Sequence, residues 1–94
     1  MKELIFTARS LKEIKSISEF ILDKWSEKVN LKFLQKLKYN FDLLLIDPEI
    51  FPANKYNKLR KCYVSKQTTI FYKTVKNQIV IVSVFDTRQN PNKI

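Results

Sequence analysis

The side chains in this chain that can do chemistry are mostly cations, and those best placed to act together crowd its second half. Arg60, Lys61, Lys66, Lys73 and Arg88 stand close together in sequence, with Tyr72 among them. Residues 51–94 hold nine Lys/Arg and a single acid, Asp86, a net of +8, whereas residues 1–50 hold nine Lys/Arg and eight Asp/Glu, a net of +1. A solvated surface needs charge but not this segregation, which fits a face turned towards an anionic partner: nucleic acid, an acidic protein or a membrane surface. What is missing narrows the chemistry further. There is no histidine, so no Ser-His or Cys-His nucleophile can be assembled. There is no glycine, which excludes a P-loop and a dinucleotide fingerprint. The carboxylates show no ligand spacing, so neither a metal nor a cofactor is expected. Cys62 is the only cysteine and reads as a small apolar strand residue; with no internal disulfide possible, a reducing cytoplasm fits.

The cations sit in or beside three strand-like runs. Leu59 to Ile94 reads LRKCYVS, KQTTIFYKTVKNQ and IVIVSVFDTRQNPNKI, with polar joints near Ser65-Lys66-Gln67 and Lys76-Asn77-Gln78. This predicts an antiparallel meander of two hairpins. In Ile79 to Phe85 both alternating sets are mostly apolar, with Ile79, Ile81 and Phe85 on one face and Val80, Val82 and Val84 on the other. Val82 is expected to be buried in the central strand against both helices. Strand alternation turns Arg60 and Lys61 to opposite faces and puts Asp86 and Arg88 on the same one. Tyr72 reads as a half-buried cross-strand partner. Asn90-Pro91-Asn92 marks an irregular tail.

Upstream, Glu3 to Thr7 can form a short first strand. A helix follows, capped either by the box Ser10-Leu11-Lys12-Glu13 or by a start near Thr7. Its apolar stripe runs through Leu11, Ile14, Ile17 or Ser18, Ile21 and Trp25. Ser26 is placed to cap a second helix with stripe Val29, Phe33, Leu37, Phe41 and Leu44, which Asp47-Pro48 ends. The loop PEIFPANKYNK carries Phe51 and Tyr56, expected to pin it to the body. The fold class is therefore α+β, ordered β-α-α-β-β-β, with a mainly antiparallel sheet and a helical hairpin packed on one face. Residues 1–94 are expected to form one domain. No apolar run is long enough to span a bilayer and no leader is visible, so a soluble, cytoplasmic protein without a membrane partner is expected.

At this length and order the residues resemble the RelE/ParE superfamily of type II toxins, often labelled plasmid stabilisation proteins. The resemblance rests on TARSLKEIKSISEFI, on FLQKLKYNFDLLLIDPEIFP, and on LRKCYVSKQTTIFYKTVKNQIVIVSVFDTRQNP, whose strand ends are most similar to ParE-like members. It implies a bacterial toxin that inhibits growth. A cognate antitoxin with an acidic, disordered segment would hold it inactive in a hetero-oligomer. It also implies one of two activities. ParE-like members poison DNA gyrase, while RelE-like members cut messenger RNA on the ribosome with Arg, Lys and Tyr side chains and no metal. On the ribonuclease reading the candidate catalytic residues are Lys61, Lys66, Tyr72 and Arg88. On either reading Arg60, Lys61, Lys66, Lys73 and Arg88 are candidates for target or antitoxin binding. The Arg that RelE-like enzymes carry before the Tyr is absent from Thr68-Thr69-Ile70-Phe71-Tyr72, and the tail QNPNKI has no acid-base residue. Cleavage by a ribose 2′-hydroxyl needs a base as well as charge stabilisation, and the sequence supplies the second far better than the first. The non-enzymatic, ParE-like activity is the expectation. A free-standing basic nucleic-acid-binding domain, with Tyr63, Phe71 and Tyr72 as a stacking platform, is a third reading from another class.

Overall fold

The computed structural model describes residues 2–89, so the expected irregular tail at Asn90-Pro91-Asn92 lies outside the described residues. The elements are β1 (Glu3–Phe6), α1 (Ala8–Lys24), α2 (Glu27–Ile46), β2 (Arg60–Tyr63), β3 (Thr68–Val75) and β4 (Gln78–Asp86). The sheet order is β1-β4-β3-β2, with β2–β3 and β3–β4 antiparallel and β1 lying parallel to β4. The order β-α-α-β-β-β and the helical hairpin are thus as the sequence predicts. The parallel β1 pairing makes the sheet mixed, because the two helices carry the chain back before β4 forms.

Each helix end has a local cause. Thr7, not Ser10, caps α1: its hydroxyl accepts the Ser10 N–H at 3.0 Å and donates to the Val82 carbonyl at 2.9 Å. The buried stripe runs through Ser10, Ile17 and Ile21, while Leu11 and Trp25, expected in it, are exposed because that side of the helix faces away from the sheet. Ser26 caps α2 by accepting the Val29 N–H, and α2 ends at Asp47 ahead of Pro48. Only Trp25 and Ser26 join the helices, which forces an antiparallel hairpin, stitched where Ser18 donates to Asn30 at 2.8 Å. Burying Asn30 without that partner would be costly.

The hairpin covers one face of the sheet. Ile17 and Ile21 of α1 and Phe33, Leu37 and Leu44 of α2 pack with Cys62, Ile70, Tyr72, Ile79, Ile81 and Val84. Phe6 adds an edge-on contact with Phe41 at 5.2 Å between ring centroids. The expected alternation along β4 breaks midway. Tyr72 pairs with Ile81 and Phe71 with Ser83, so Val82 is an extra residue in a β-bulge. Beyond it the parity flips. Ile79, Ile81, Val84 and Asp86 are buried, while Phe85 turns to the open face and Val82 is only half-buried. The expectation that Val82 is a core residue, and that Phe85 shares a face with Ile79, is corrected by that single inserted position.

Two further expectations change. Tyr72 is fully buried, not half-buried, and Tyr56 projects into solvent without anchoring its loop. Phe51 is partly buried against the core as expected.

Candidate functional site

The face of the sheet away from the helices is open, and α1 begins at its rim. Between them lies a groove of about 640 Å³, lined by Arg9 and Glu13 of α1, Lys61 and Tyr63 of β2, Lys66 in the β2–β3 turn, and Phe71 and Phe85. Ser65, Gln67, Thr69, Ser83 and Thr87 add polar groups to its walls. Register explains the membership. Lys61 pairs with Phe71 and Tyr63 with Thr69, so these side chains share the open face, and the bulge brings Ser83 and Phe85 to it.

Glu13 fixes how α1 meets this groove. One carboxylate oxygen accepts the Ser83 hydroxyl at 2.7 Å and the Val84 N–H at 3.0 Å; the other accepts from Arg9 at 3.2 Å. The carboxylate therefore grips the bulge and holds Arg9 at the rim. Sequence reasoning missed both groups. Their i,i+4 spacing on α1 was visible, but nothing in the sequence placed that helical turn beside β4.

The candidate cations divide into two sets. Lys61, Lys66 and Lys73 are exposed, with the Lys61 ammonium 5.8 Å from the centroid of the Phe71 ring. Lys73 lies on the open face beside Phe71 in β3 but not in the groove wall. Arg60 and Arg88 are directed elsewhere. Arg60 pairs with Tyr72 on the helix-side face, donates to the Phe51 carbonyl and lies 3.7 Å from Glu49, so it secures the loop after α2. Arg88 forks onto the wholly buried Asp86 carboxylate, Nε to Oδ1 at 3.0 Å and Nη2 to Oδ2 at 2.8 Å. The Arg88 guanidinium also sits 5.8 Å from the Phe33 ring. Thr68 donates to the same carboxylate at 2.6 Å, and the Arg88 backbone N–H at 2.9 Å. The sharing of one face by Asp86 and Arg88 is realised as this bidentate pair.

Tyr72 is directed inward too. Its hydroxyl donates to the Pro48 carbonyl at 2.9 Å, closing the end of α2 onto β3. Burial raises its pKa above the usual tyrosine value, an effect that Arg60 only partly offsets. Burial likewise pushes the Cys62 thiol up to about 11, so it stays protonated and unreactive near neutrality. Among the described residues no cluster of His, Cys, Asp and Glu is arranged to hold a metal ion. Among them, too, no helix is long and apolar enough to cross a membrane.

The chain thus folds as a four-stranded mixed sheet with one face under a helical hairpin and the other forming a basic groove. The sequence profile of the family described as ParE toxin of type II toxin-antitoxin system, parDE, matches residues 4–91, and the chain belongs to that family. No functionally curated protein sequence matches it. Among solved structures, the chromosomal ParDE toxin–antitoxin system of P. aeruginosa superposes with a TM-score of 0.77 at 12% identity, over 92% of this chain and 96% of that one. The E. coli DinJ–YafQ complex superposes with a TM-score of 0.63 at 14% identity, over 96% and 98%. The solution structure of HP0894 from Helicobacter pylori gives 0.59 at 15% identity, over 94% and 97%. At these identities the neighbours define the fold and leave the chemistry to be argued from side chains.

Proposed function

We propose that this type II toxin acts by holding DNA gyrase through the basic open face and its apolar floor, without performing chemistry. A cognate antitoxin whose acidic segment is disordered when free would neutralise it in a cytoplasmic hetero-oligomer, as part of a plasmid-stabilising or similar module. The observation that carries the non-enzymatic half is the engagement of Tyr72 and Arg88. Two of the four groups a ribonuclease would draw on are spent inside the molecule, one on the Pro48 carbonyl and one on the Asp86 carboxylate. A phenol with a raised pKa is a poor general base at neutral pH. Lys61 and Lys66 remain exposed and can meet phosphate or carboxylate, but ammonium groups alone do not deprotonate a ribose hydroxyl. Among the described residues Glu13 is the one carboxylate lining the groove, and it is engaged by Arg9, Ser83 and Val84.

The antitoxin half rests on charge and shape. An acidic segment laid along the groove would neutralise Lys61, Lys66 and Arg9 while covering Phe71 and Phe85, with association that slows as salt rises. On this reading Lys61, Lys66 and Lys73 are the binding cations of the open face, and Arg60 and Arg88 maintain the surfaces around them.

The deciding experiment assays purified protein in parallel for gyrase supercoiling and for cleavage of ribosome-bound mRNA. Inhibited supercoiling with intact mRNA is the expected result. Codon-spaced cuts would replace this reading with the ribosome-dependent endoribonuclease.

A further inference from the structure

The loop from Pro48 to Leu59 spends many hydrogen bonds to present a side chain that contributes nothing to the core. Tyr56 is 85% exposed. Around it the backbone is tied down. The Asn54 side-chain oxygen accepts the N–H groups of Tyr56 at 2.8 Å and Asn57 at 3.2 Å, and Asn57 Oδ1 accepts the Leu59 N–H at 3.0 Å. The Lys58 N–H meets the Asn54 carbonyl and the Asn54 N–H meets the Leu59 carbonyl, both at 2.8 Å. Lys58 takes a left-handed conformation (φ 64°) that disfavours a residue with a Cβ. At the loop's base, Arg60 grips the Phe51 carbonyl and Glu49.

Charge and shape define what this loop fits. The loop carries Lys55 and Lys58, and its one acid, Glu49, lies at its base against Arg60. Lys55 lies 5.5 Å from the Tyr56 ring centroid, and Lys61 stands on the adjoining strand. Between loop and strand runs a second groove of about 260 Å³, walled by Phe51, Pro52, Ala53 and Leu59. Tyr63, 64% exposed, forms its far rim. Aromatic side chains on ordered backbone lose little entropy on binding, and Tyr is enriched among residues that dominate interfaces.

We propose that this loop is the element with which the toxin reads an acidic surface of its target protein. Tyr56 buries its ring against that surface, an apolar side chain of the target fills the groove beside Tyr63, and target carboxylates meet Lys55, Lys58 and Lys61. The inference rests on the reading that the toxin acts by holding a protein. A protein fits better than nucleic acid because an aliphatic side chain matches the wall formed by Phe51, Pro52, Ala53 and Leu59, whereas a nucleobase would find only Tyr63 as an exposed ring to stack on. The surface adjoins the Arg9–Phe85 groove and shares Lys61 and Tyr63 with it, but Lys55, Tyr56 and Lys58 line neither groove, so a target held by them need not displace every antitoxin contact.

The test induces wild type, Tyr56→Ala, Tyr56→Phe and the double variant Lys55→Glu/Lys58→Glu in cells lacking antitoxin. Each is also melted, co-purified with the antitoxin encoded beside it, and titrated into gyrase supercoiling. Tyr56→Ala should raise the toxin level needed for half-maximal growth inhibition by ~30-fold, the scale of an interface hot spot. Melting and antitoxin capture should stay unchanged, and Tyr56→Phe should retain most of the toxicity. Wild-type toxicity in both Tyr56→Ala and the double variant would overturn the inference, as would loss of antitoxin capture with toxicity kept. Binding of a fluorescein-labelled DNA duplex that Lys55→Glu/Lys58→Glu abolishes would overturn the protein partner. If wild type leaves supercoiling untouched while Tyr56→Ala still abolishes toxicity, gyrase is the wrong target and the loop inference stands.

Discussion

Replacing Arg88 with Ala separates a structural arginine from a catalytic one. The substitution removes both side-chain bonds to Asp86 and leaves a carboxylate with no solvent exposure holding the Thr68 hydroxyl and the residue 88 backbone N–H. Breaking one side of a buried ion pair costs about 3–5 kcal/mol, and two surviving donors argue for the low end, about 3 kcal/mol. The Arg88 side chain is only 15% exposed, so solvent screening takes little from that figure. For a domain of this length, each kcal/mol moves Tm by about 4–8 °C, giving a fall of about 12–24 °C. Calorimetry or a circular-dichroism melt measures it. A cycle with Asp86→Asn should return a coupling of about 2 kcal/mol, because the two residues act as a unit. At a temperature where the variant is still folded, toxicity per folded molecule should match wild type. A transition-state arginine behaves oppositely, with rate falling ~10²–10³-fold at unchanged stability. Lost toxicity with a Tm within about 2 °C of wild type would therefore refute the structural assignment.

Other perturbations test the positions on which the site depends. Thr7→Val removes the α1 cap and the donation to β4, together about 2 kcal/mol by urea unfolding, whereas Thr7→Ser should recover most of it. Lys76 holds φ 55° in the β3–β4 hairpin, so Lys76→Gly should stabilise by about 0.5–1 kcal/mol, the relieved strain less glycine's entropy, read as a higher urea midpoint. Burial raises the pKa values of Cys62 and Tyr72, so the folded state holds their protons more tightly than the unfolded state. Their stabilisation is complete below the ordinary values and falls as pH rises through them. The urea midpoint should be flat from about pH 6 to 8 and drop above about pH 9, with Cys62→Val losing part of the drop.

How much of this could be read from the sequence varied by element. The helical hairpin was legible because its stripes repeat at helical spacing and Ser26 and Asp47-Pro48 punctuate it locally. The α1 start was legible only as two options, since Thr7 and Ser10 both suit a cap and the winner was chosen by the bond from Thr7 to β4. That Asp86 and Arg88 share a side followed from their i,i+2 spacing, but that the pair faces inward did not, because it depends on the bulge at Val82. The burial of Tyr72 did not follow, because the carbonyl that receives its hydroxyl belongs to Pro48, distant in sequence. Nor did the groove's membership, which needs Arg9 and Glu13 brought against β4 by tertiary packing.

The bulge at Val82 is where these strands of reasoning meet. Without the extra residue, an unbroken alternation would place Val84 and Asp86 on the open face and send Phe85 into the core. Asp86 would then lie in solvent, and a salt bridge to Arg88 would contribute little. The groove would also lose Phe85 from its floor and gain an acid beside Lys66. With the residue inserted, Asp86 goes inward and takes the Arg88 guanidinium with it, and the open face keeps its aromatic floor and its positive sign. Glu13 holds that arrangement by bonding the Ser83 hydroxyl and the Val84 N–H, the two positions just past the insertion. One residue of register thus both commits Arg88, a candidate of the ribonuclease reading, to Asp86 and leaves a surface suited to the proposed acidic partner. That is why the Arg88 part of the non-enzymatic reading and the antitoxin-binding reading rest on the same geometric fact.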